Sequence, residues 1–125
     1  MKLQDKVIVI TGSTRGIGRA IALACASEGA SIIISSRSEE AVQKTVDEMK
    51  ARGYVAAGIT CDTTVPGALG MLLQFAVDTF GKVDVWINNA GLSSGYRPLD
   101  EMSPEEISQI VATNVTAVCI TSAKM

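Results

Sequence analysis

An apolar run, Val7-Ile8-Val9-Ile10, leads straight into Thr11-Gly12-Ser13-Thr14-Arg15-Gly16-Ile17-Gly18, and a helical pattern opens behind it. This order of strand, glycine turn and helix constrains the fold more than any other stretch. Glycine takes left-handed backbone angles without strain and lets other groups approach the main chain closely. The helix that follows points unpaired N–H groups and its positive dipole end at the turn. An anion fits there, and a pyrophosphate is the expected one. The spacing, T-G-x-x-x-G-I-G, departs from the G-x-G-x-x-G fingerprint. Taken alone, the glycines also allow a bare strand-to-helix turn without a ligand.

The rest of the chain repeats the alternation. Lys6–Thr11 is the first expected strand, apolar as in a parallel sheet covered on both faces. Ile17, Ala20, Ile21 and Ala24 recur at helical spacing, and Gly29 supplies the stop. Ser31–Ser35 reads as a second strand. Ser38 is placed to cap a second helix, with Glu39 and Glu40 in its first turn, Lys50 and Arg52 in its last, and Gly53 at its end. Tyr54–Cys61 is the third expected strand.

Thr64 and Pro66 mark the start of a third helix, with Leu69, Leu72, Leu73, Ala76, Val77 and Phe80 as its apolar face and Gly81 beyond it. Gly67 and Gly70 weaken its opening turns, with no functional reason evident. Val83–Ile87 is the fourth strand, and Asn88–Met102 a polar loop. Ser103-Pro104-Glu105-Glu106 then carries a capping box with proline at the first helical position. It opens a last helix that runs to the end of the chain.

The bulk numbers exclude several function classes. A chain of 125 residues is one domain's worth, and 47% hydrophobic with 19% charged residues suits a globular α/β protein. A net charge of −2 gives no reason to expect nucleic acid or an anionic membrane as partner. No apolar run reaches membrane-spanning length. Strand-like sequence starts within a few residues of Met1, so no signal peptide is expected. Cys25, Cys61 and Cys119 are scattered and there is no histidine, so a metal site or disulfide framework is not expected. The cysteines read as small buried residues in a reducing compartment such as the cytoplasm.

A βαβαβαβα order implies right-handed crossovers and a parallel sheet covered on both faces. Ligands of such sheets lie at the carboxyl ends of the strands. The glycine turn, Arg37, Asp62 and Asn88-Asn89-Ala90-Gly91 all fall at those ends, after four different strands. That convergence makes Gly12, Ser13, Thr14, Arg15, Gly16, Ile17, Gly18, Arg37, Asp62, Asn88, Asn89, Ala90 and Gly91 the candidate cofactor-binding residues.

The glycine turn and the Asn-Asn-Ala-Gly stretch after Val83-Asp84-Val85-Trp86-Ile87 resemble the short-chain dehydrogenase/reductase family. The resemblance covers Lys6 to Met125 and implies an α/β fold, a Rossmann-type doubly wound parallel sheet in the order 3-2-1-4. One NAD(P)-binding domain would span residues 1–125, with further strands beyond the fourth. The implied activity is hydride transfer between a nicotinamide and a small-molecule carbonyl or alcohol, with a homo-oligomer as the full-length assembly. Trp86–Gly91, Gly95-Tyr96-Arg97-Pro98-Leu99 and Gln109-Ile110-Val111 are similar to plant chlorophyll b reductases in particular.

Arg37 follows the second strand where an acid would bind a ribose 2′-hydroxyl. Ser36-Arg37-Ser38 stands there instead, and a guanidinium with flanking hydroxyls suits a 2′-phosphate. Arg15 adds a second cation inside the glycine turn. In the resembling family, basic residues at these places go with NADP(H) over NAD(H). Two solvated surface arginines are the alternative. The family's acid at the position of Asp62 reads the adenine amino group; Asp62 can also cap the helix near Thr64, and both can hold.

Asn114 lies seven residues past Ile107, on an apolar stripe with Ile110, Val111, Val115 and Val118. A buried amide must find hydrogen bonds. The family places an active-site asparagine in the stretch matched by Thr113-Asn114-Val115, where it holds a water of the proton relay. A satisfied core asparagine beside a helix irregularity is the alternative. The family's catalytic serine and Tyr-x-x-x-Lys pair have no match here: four residues after Tyr96 stands Asp100, four after Tyr54 stands Gly58, and four before Lys124 stands Ile120. The last helix also lacks a stop signal. A fragment, truncated before those residues and inactive by itself, is therefore expected. A non-catalytic nucleotide-binding or interaction module is the competing reading.

Overall fold

In the computed structural model, residues 1–91, 101–116 and 119 are described. The strands are β1 (Val7–Ile10), β2 (Ser31–Ser36), β3 (Val55–Thr60) and β4 (Val85–Ile87). The helices are α1 (Gly16–Ser27), α2 (Glu39–Ala51), α3 (Ala68–Phe80) and α4 (Pro104–Val111), and a π turn, Ala112–Thr116, continues α4. All strand pairs are parallel, as the alternation implies, and the order is β3-β2-β1-β4, as the family resemblance implies.

The period of two along each strand divides the core. Ile8, Ile10, Ile32, Ile34 and Ala56 face one way and pack on Ala22 and Ala26 of α1 and Val42, Val46 and Met49 of α2. Val9 and Ile33 face the other way and pack with Cys61 and with Leu72 and Ala76 of α3. Both faces are covered, which is why β1 and β2 are apolar without alternation. Ile10, Ile32, Ile33 and Ile34 are fully buried.

The expected caps form. Ser38 Oγ accepts the Ala41 N–H at 3.2 Å and Ser103 Oγ accepts the Glu106 N–H at 3.1 Å. Arg19 Nη2 of α1 meets Glu48 Oε2 of α2 at 3.0 Å and ties the two helices across the sheet face they share.

Several boundaries differ from the sequence reading. Tyr54 belongs to the turn after α2, where its N–H donates to Met49 O at 3.0 Å, so β3 starts at Val55. Helix α3 starts at Ala68, not near Thr64. Asp62 Oδ1 accepts both the Thr64 N–H at 2.9 Å and the Thr64 hydroxyl at 2.6 Å, and the chain turns through Val65–Gly67 first. Gly67, left-handed at φ 83°, joins that turn to the helix, which gives this glycine a structural role. Strand β4 is only Val85–Ile87. Asp84 precedes it and pairs with Val7 twice: its Oδ2 accepts the Val7 N–H at 2.8 Å and its own N–H donates to Val7 O at 2.9 Å.

The last helix departs most. Ile107, Val111 and Val115 are 36%, 47% and 54% exposed, and Asn114 is exposed with them. The expected burial of Asn114 on an apolar stripe is therefore corrected. Helix α4 has no buried residue, so the stripe that begins at Ile107 is itself exposed and Asn114 lies exposed along it. Val118 lies outside the described residues.

Candidate nucleotide-binding cleft

The carboxyl ends of β1 and β4 are locked together through one hydroxyl. Thr11 Oγ1, 2% exposed, accepts the backbone N–H groups of Asn89 and Ala90, each at 3.0 Å, and donates to Ile87 O at 3.4 Å. A threonine hydroxyl has one proton and two lone pairs, so its capacity is filled. Asn89 Nδ2 donates to Gly12 O at 2.9 Å and adds a second tie between the two turns.

Gly18 closes this junction by having no side chain: a Cβ there would run into Gly12 O and Asn89 Nδ2. Gly16 plays the opposite part. It is left-handed at φ 57° and faces open space within 4 Å of where its Cβ would stand. Helix α1 begins at Gly16 behind the extended Arg15, with no side-chain cap and no acid in its first turn. Its first N–H groups are left for an outside acceptor.

Behind the turn, Ser13 is fully buried. Its N–H donates to Ser35 O and its Oγ accepts the Ser35 N–H, both at 3.0 Å. Ser13 therefore stitches the glycine turn to β2 rather than lining the cleft. Asn88 also turns elsewhere: it is exposed, and its Oδ1 accepts the Trp86 Nε1–H at 3.1 Å.

The remaining candidates converge on one cleft of about 490 Å³. The glycine turn supplies Gly12, Thr14, Arg15, Gly16 and Ile17; the end of β2 supplies Ser36, Arg37 and Ser38; the end of β3 supplies Cys61, Asp62 and Thr63; the end of β4 supplies Asn89, Ala90 and Gly91. Thr113 of the π turn completes the wall. Asn114 stands next to it, with Oδ1 3.6 Å from where a Cβ on Gly91 would be.

Neither Arg15 nor Arg37 forms a salt bridge or hydrogen bond with the described residues. Ser36 Oγ spends its proton on Ser38 O and accepts the Ser38 N–H, both at 3.2 Å. Ser38 Oγ accepts from Ala41 and keeps its proton to donate. The hydrogen bonds from Thr64, with the positive charge of Arg37, hold the Asp62 carboxyl below the usual carboxylate range. Asp62 is thus an ionised acceptor, and its Oδ2 takes no hydrogen bond from the described residues. Burial, with the charge of Asp62, pushes the Cys61 thiol up to about 11, so it stays protonated.

Thr11 and Thr113 carry weight that sequence reasoning missed. Thr11 had one available signal, a lone hydroxyl at the end of an apolar strand beside the glycine turn. Thr113 had none, because the π turn sets its place. Tyr96 and Lys124, the residues nearest to a tyrosine–lysine pair, lie outside the described residues.

A four-strand parallel sheet in this order, with a glycine turn, two guanidinium groups and an ionised carboxylate at its carboxyl edge, defines a dinucleotide-binding α/β domain. The family model described as short chain dehydrogenase matches residues 6–125, and the chain belongs to that family. Among curated relatives, a probable chlorophyll(ide) b reductase, chloroplastic, of Oryza sativa subsp. japonica is 41% identical over 91% of this chain and 26% of its own length. Cyclohexanol dehydrogenase of Acinetobacter sp. (strain SE19) is 38% identical over 94% of this chain and 47% of its own.

Among solved structures, a short-chain type dehydrogenase/reductase from Mycobacterium marinum superposes with a TM-score of 0.90 at 35% identity, over 98% of this chain and 49% of that one. A metagenomic short-chain oxidoreductase in complex with NADP gives 0.88 at 32% identity, over 97% and 55%. The chain spans half or less of the length of the curated relatives it matches. Among the described residues no helix is long and apolar enough to cross a membrane.

Proposed function

We propose that this chain is the nucleotide-binding part of an NADP(H)-dependent oxidoreductase acting on a small-molecule carbonyl or alcohol, and that the full-length protein is a homo-oligomer in a reducing compartment. The observation that carries the cofactor choice is the pair of guanidinium groups, Arg15 and Arg37, lining one cleft without a salt bridge to the described residues, with Ser36-Arg37-Ser38 in place of an acid at the end of β2. A 2′-phosphate would take the charge-assisted hydrogen bonds of Arg37, with the Ser38 proton beside it.

The cleft fits such a group in other respects. The open floor at Gly16 and the uncapped start of α1 would receive a pyrophosphate, and Asp62 Oδ2 would accept an adenine amino group. When bound, the nicotinamide supplies or receives the hydride, and the chain's share is placement and electrostatics. Asn114 would orient water of a proton relay from the exposed side of the π turn. A relative that reduces chlorophyll(ide) b and another that oxidises cyclohexanol carry different substrates, so the substrate class stays at carbonyl or alcohol. Calorimetric titration of the full-length protein with NADPH and with NADH tests the reading. Tighter binding of NADPH is expected; equal affinity for the two would overturn it.

A further inference from the structure

Thr113 Oγ1 is a buried hydroxyl with no hydrogen-bond partner among the described residues, and the residue that carries it is 7% exposed. Buried hydroxyl groups almost always find a partner, and an orphan calls for a reason. Another buried threonine in this chain shows the ordinary solution. Thr45, in the regular helix α2, donates from Oγ1 to Ala41 O one turn back at 2.9 Å. Thr113 lies in the π turn, where this local bond is lost. The irregular turn therefore releases a hydroxyl that a regular helix would satisfy.

The released hydroxyl belongs to a residue that lines the same cleft as Arg37 and Asp62. We infer that Thr113 is a cofactor-positioning residue whose hydroxyl hydrogen-bonds the adenosine half of the bound dinucleotide. This rests on the cofactor reading above. That reading puts the 2′-phosphate at Arg37 and the adenine at Asp62, and so puts the adenosine half in the cleft that Thr113 also lines. Threonine in a helix occupies either of two χ1 rotamers, so one side-chain rotation presents the hydroxyl to the cleft. It can donate to a ring nitrogen or accept from a ribose hydroxyl.

The test uses Thr113→Val and Thr113→Ser in the full-length protein, titrated with NADPH and with adenosine 2′,5′-bisphosphate, which carries the adenosine half alone. Thermal unfolding is followed without ligand. Valine keeps the shape and removes the hydroxyl. We expect affinity for both ligands to fall about 2- to 12-fold in Thr113→Val and to recover in Thr113→Ser. Without ligand, Thr113→Val should melt at the parent's temperature or above it, since the hydroxyl it loses is unpaired. A purely structural hydroxyl would give the reverse, a lower melting temperature with unchanged binding, and that would overturn the inference. Parent-like affinity of Thr113→Val for the bisphosphate would also overturn it while leaving the cofactor reading intact. Failure of the parent to bind NADPH would remove both.

Discussion

Thr11 and Asn89 meet across 78 positions of sequence, where the hydroxyl of one accepts the backbone N–H of the other at 3.0 Å. The same oxygen also accepts the Ala90 N–H. One side chain thus holds the glycine turn and the Asn-Asn-Ala-Gly turn in register, and both line the cleft. Replacing Thr11 by Val leaves two N–H groups without their acceptor. Each such loss costs about 1–3 kcal/mol. Thr11→Val should lower the urea midpoint of unfolding and weaken NADPH binding together, and Thr11→Ser should restore both. Parent-like unfolding of Thr11→Val would contradict the role assigned to this hydroxyl.

Arg37 carries the cofactor preference. A lost charge-assisted hydrogen bond, with a repelling carboxylate in its place, should change the NADPH-to-NADH affinity ratio by roughly tenfold or more. Arg37→Asp is therefore expected to erase or reverse the preference in paired titrations. A variant that still prefers NADPH by the parent's margin would make Arg37 a bystander.

Asn114 is exposed beside Gly91 on the π turn. Asn114→Leu should bind NADPH nearly as the parent does while turnover falls by roughly tenfold or more, as when a proton path is interrupted. Steady-state kinetics alongside cofactor titration separates the two effects. Unchanged turnover would leave Asn114 with a structural role only.

Asp84 should give the fold an acid-sensitive contact. The Val7 N–H, followed by Lys82 with Nζ at 3.0 Å, holds its carboxyl below the usual range. A carboxyl depressed in the folded state stabilises the fold above its unfolded pKa of about 3.9, and that contribution is lost as pH falls through the folded value. Asp84→Asn keeps an acceptor for Val7 but cannot titrate. Urea midpoints measured from neutral pH down through the acid range should fall more steeply in the parent than in Asp84→Asn. Parallel curves would show that this carboxylate contributes nothing through its charge.

Much of the architecture was legible from local pattern. Apolar runs bounded by glycines placed β1, β2 and the helix between them, and Ser38 and Ser103 announced their caps. These features depend on backbone geometry and periodicity over a few residues, so short stretches carry them. The positions at the carboxyl ends of the strands were legible for a related reason: parallel alternation sends every such end to one edge of the sheet.

What the tertiary structure decided is how each polar group is used once the edges meet. Ser13 and Asn88 look alike in sequence to the residues beside them, yet one is sewn into β2 and the other turns to Trp86. Asp62 spends one oxygen on Thr64, which delays α3 to Ala68 and leaves the other oxygen for the cleft. Thr113 is buried without a partner among the described residues in a π turn that local pattern does not announce, and Asn114 is exposed beside it. A hydroxyl, amide or carboxylate can bond several neighbours equally well, and only the approach of groups far apart in sequence selects among them.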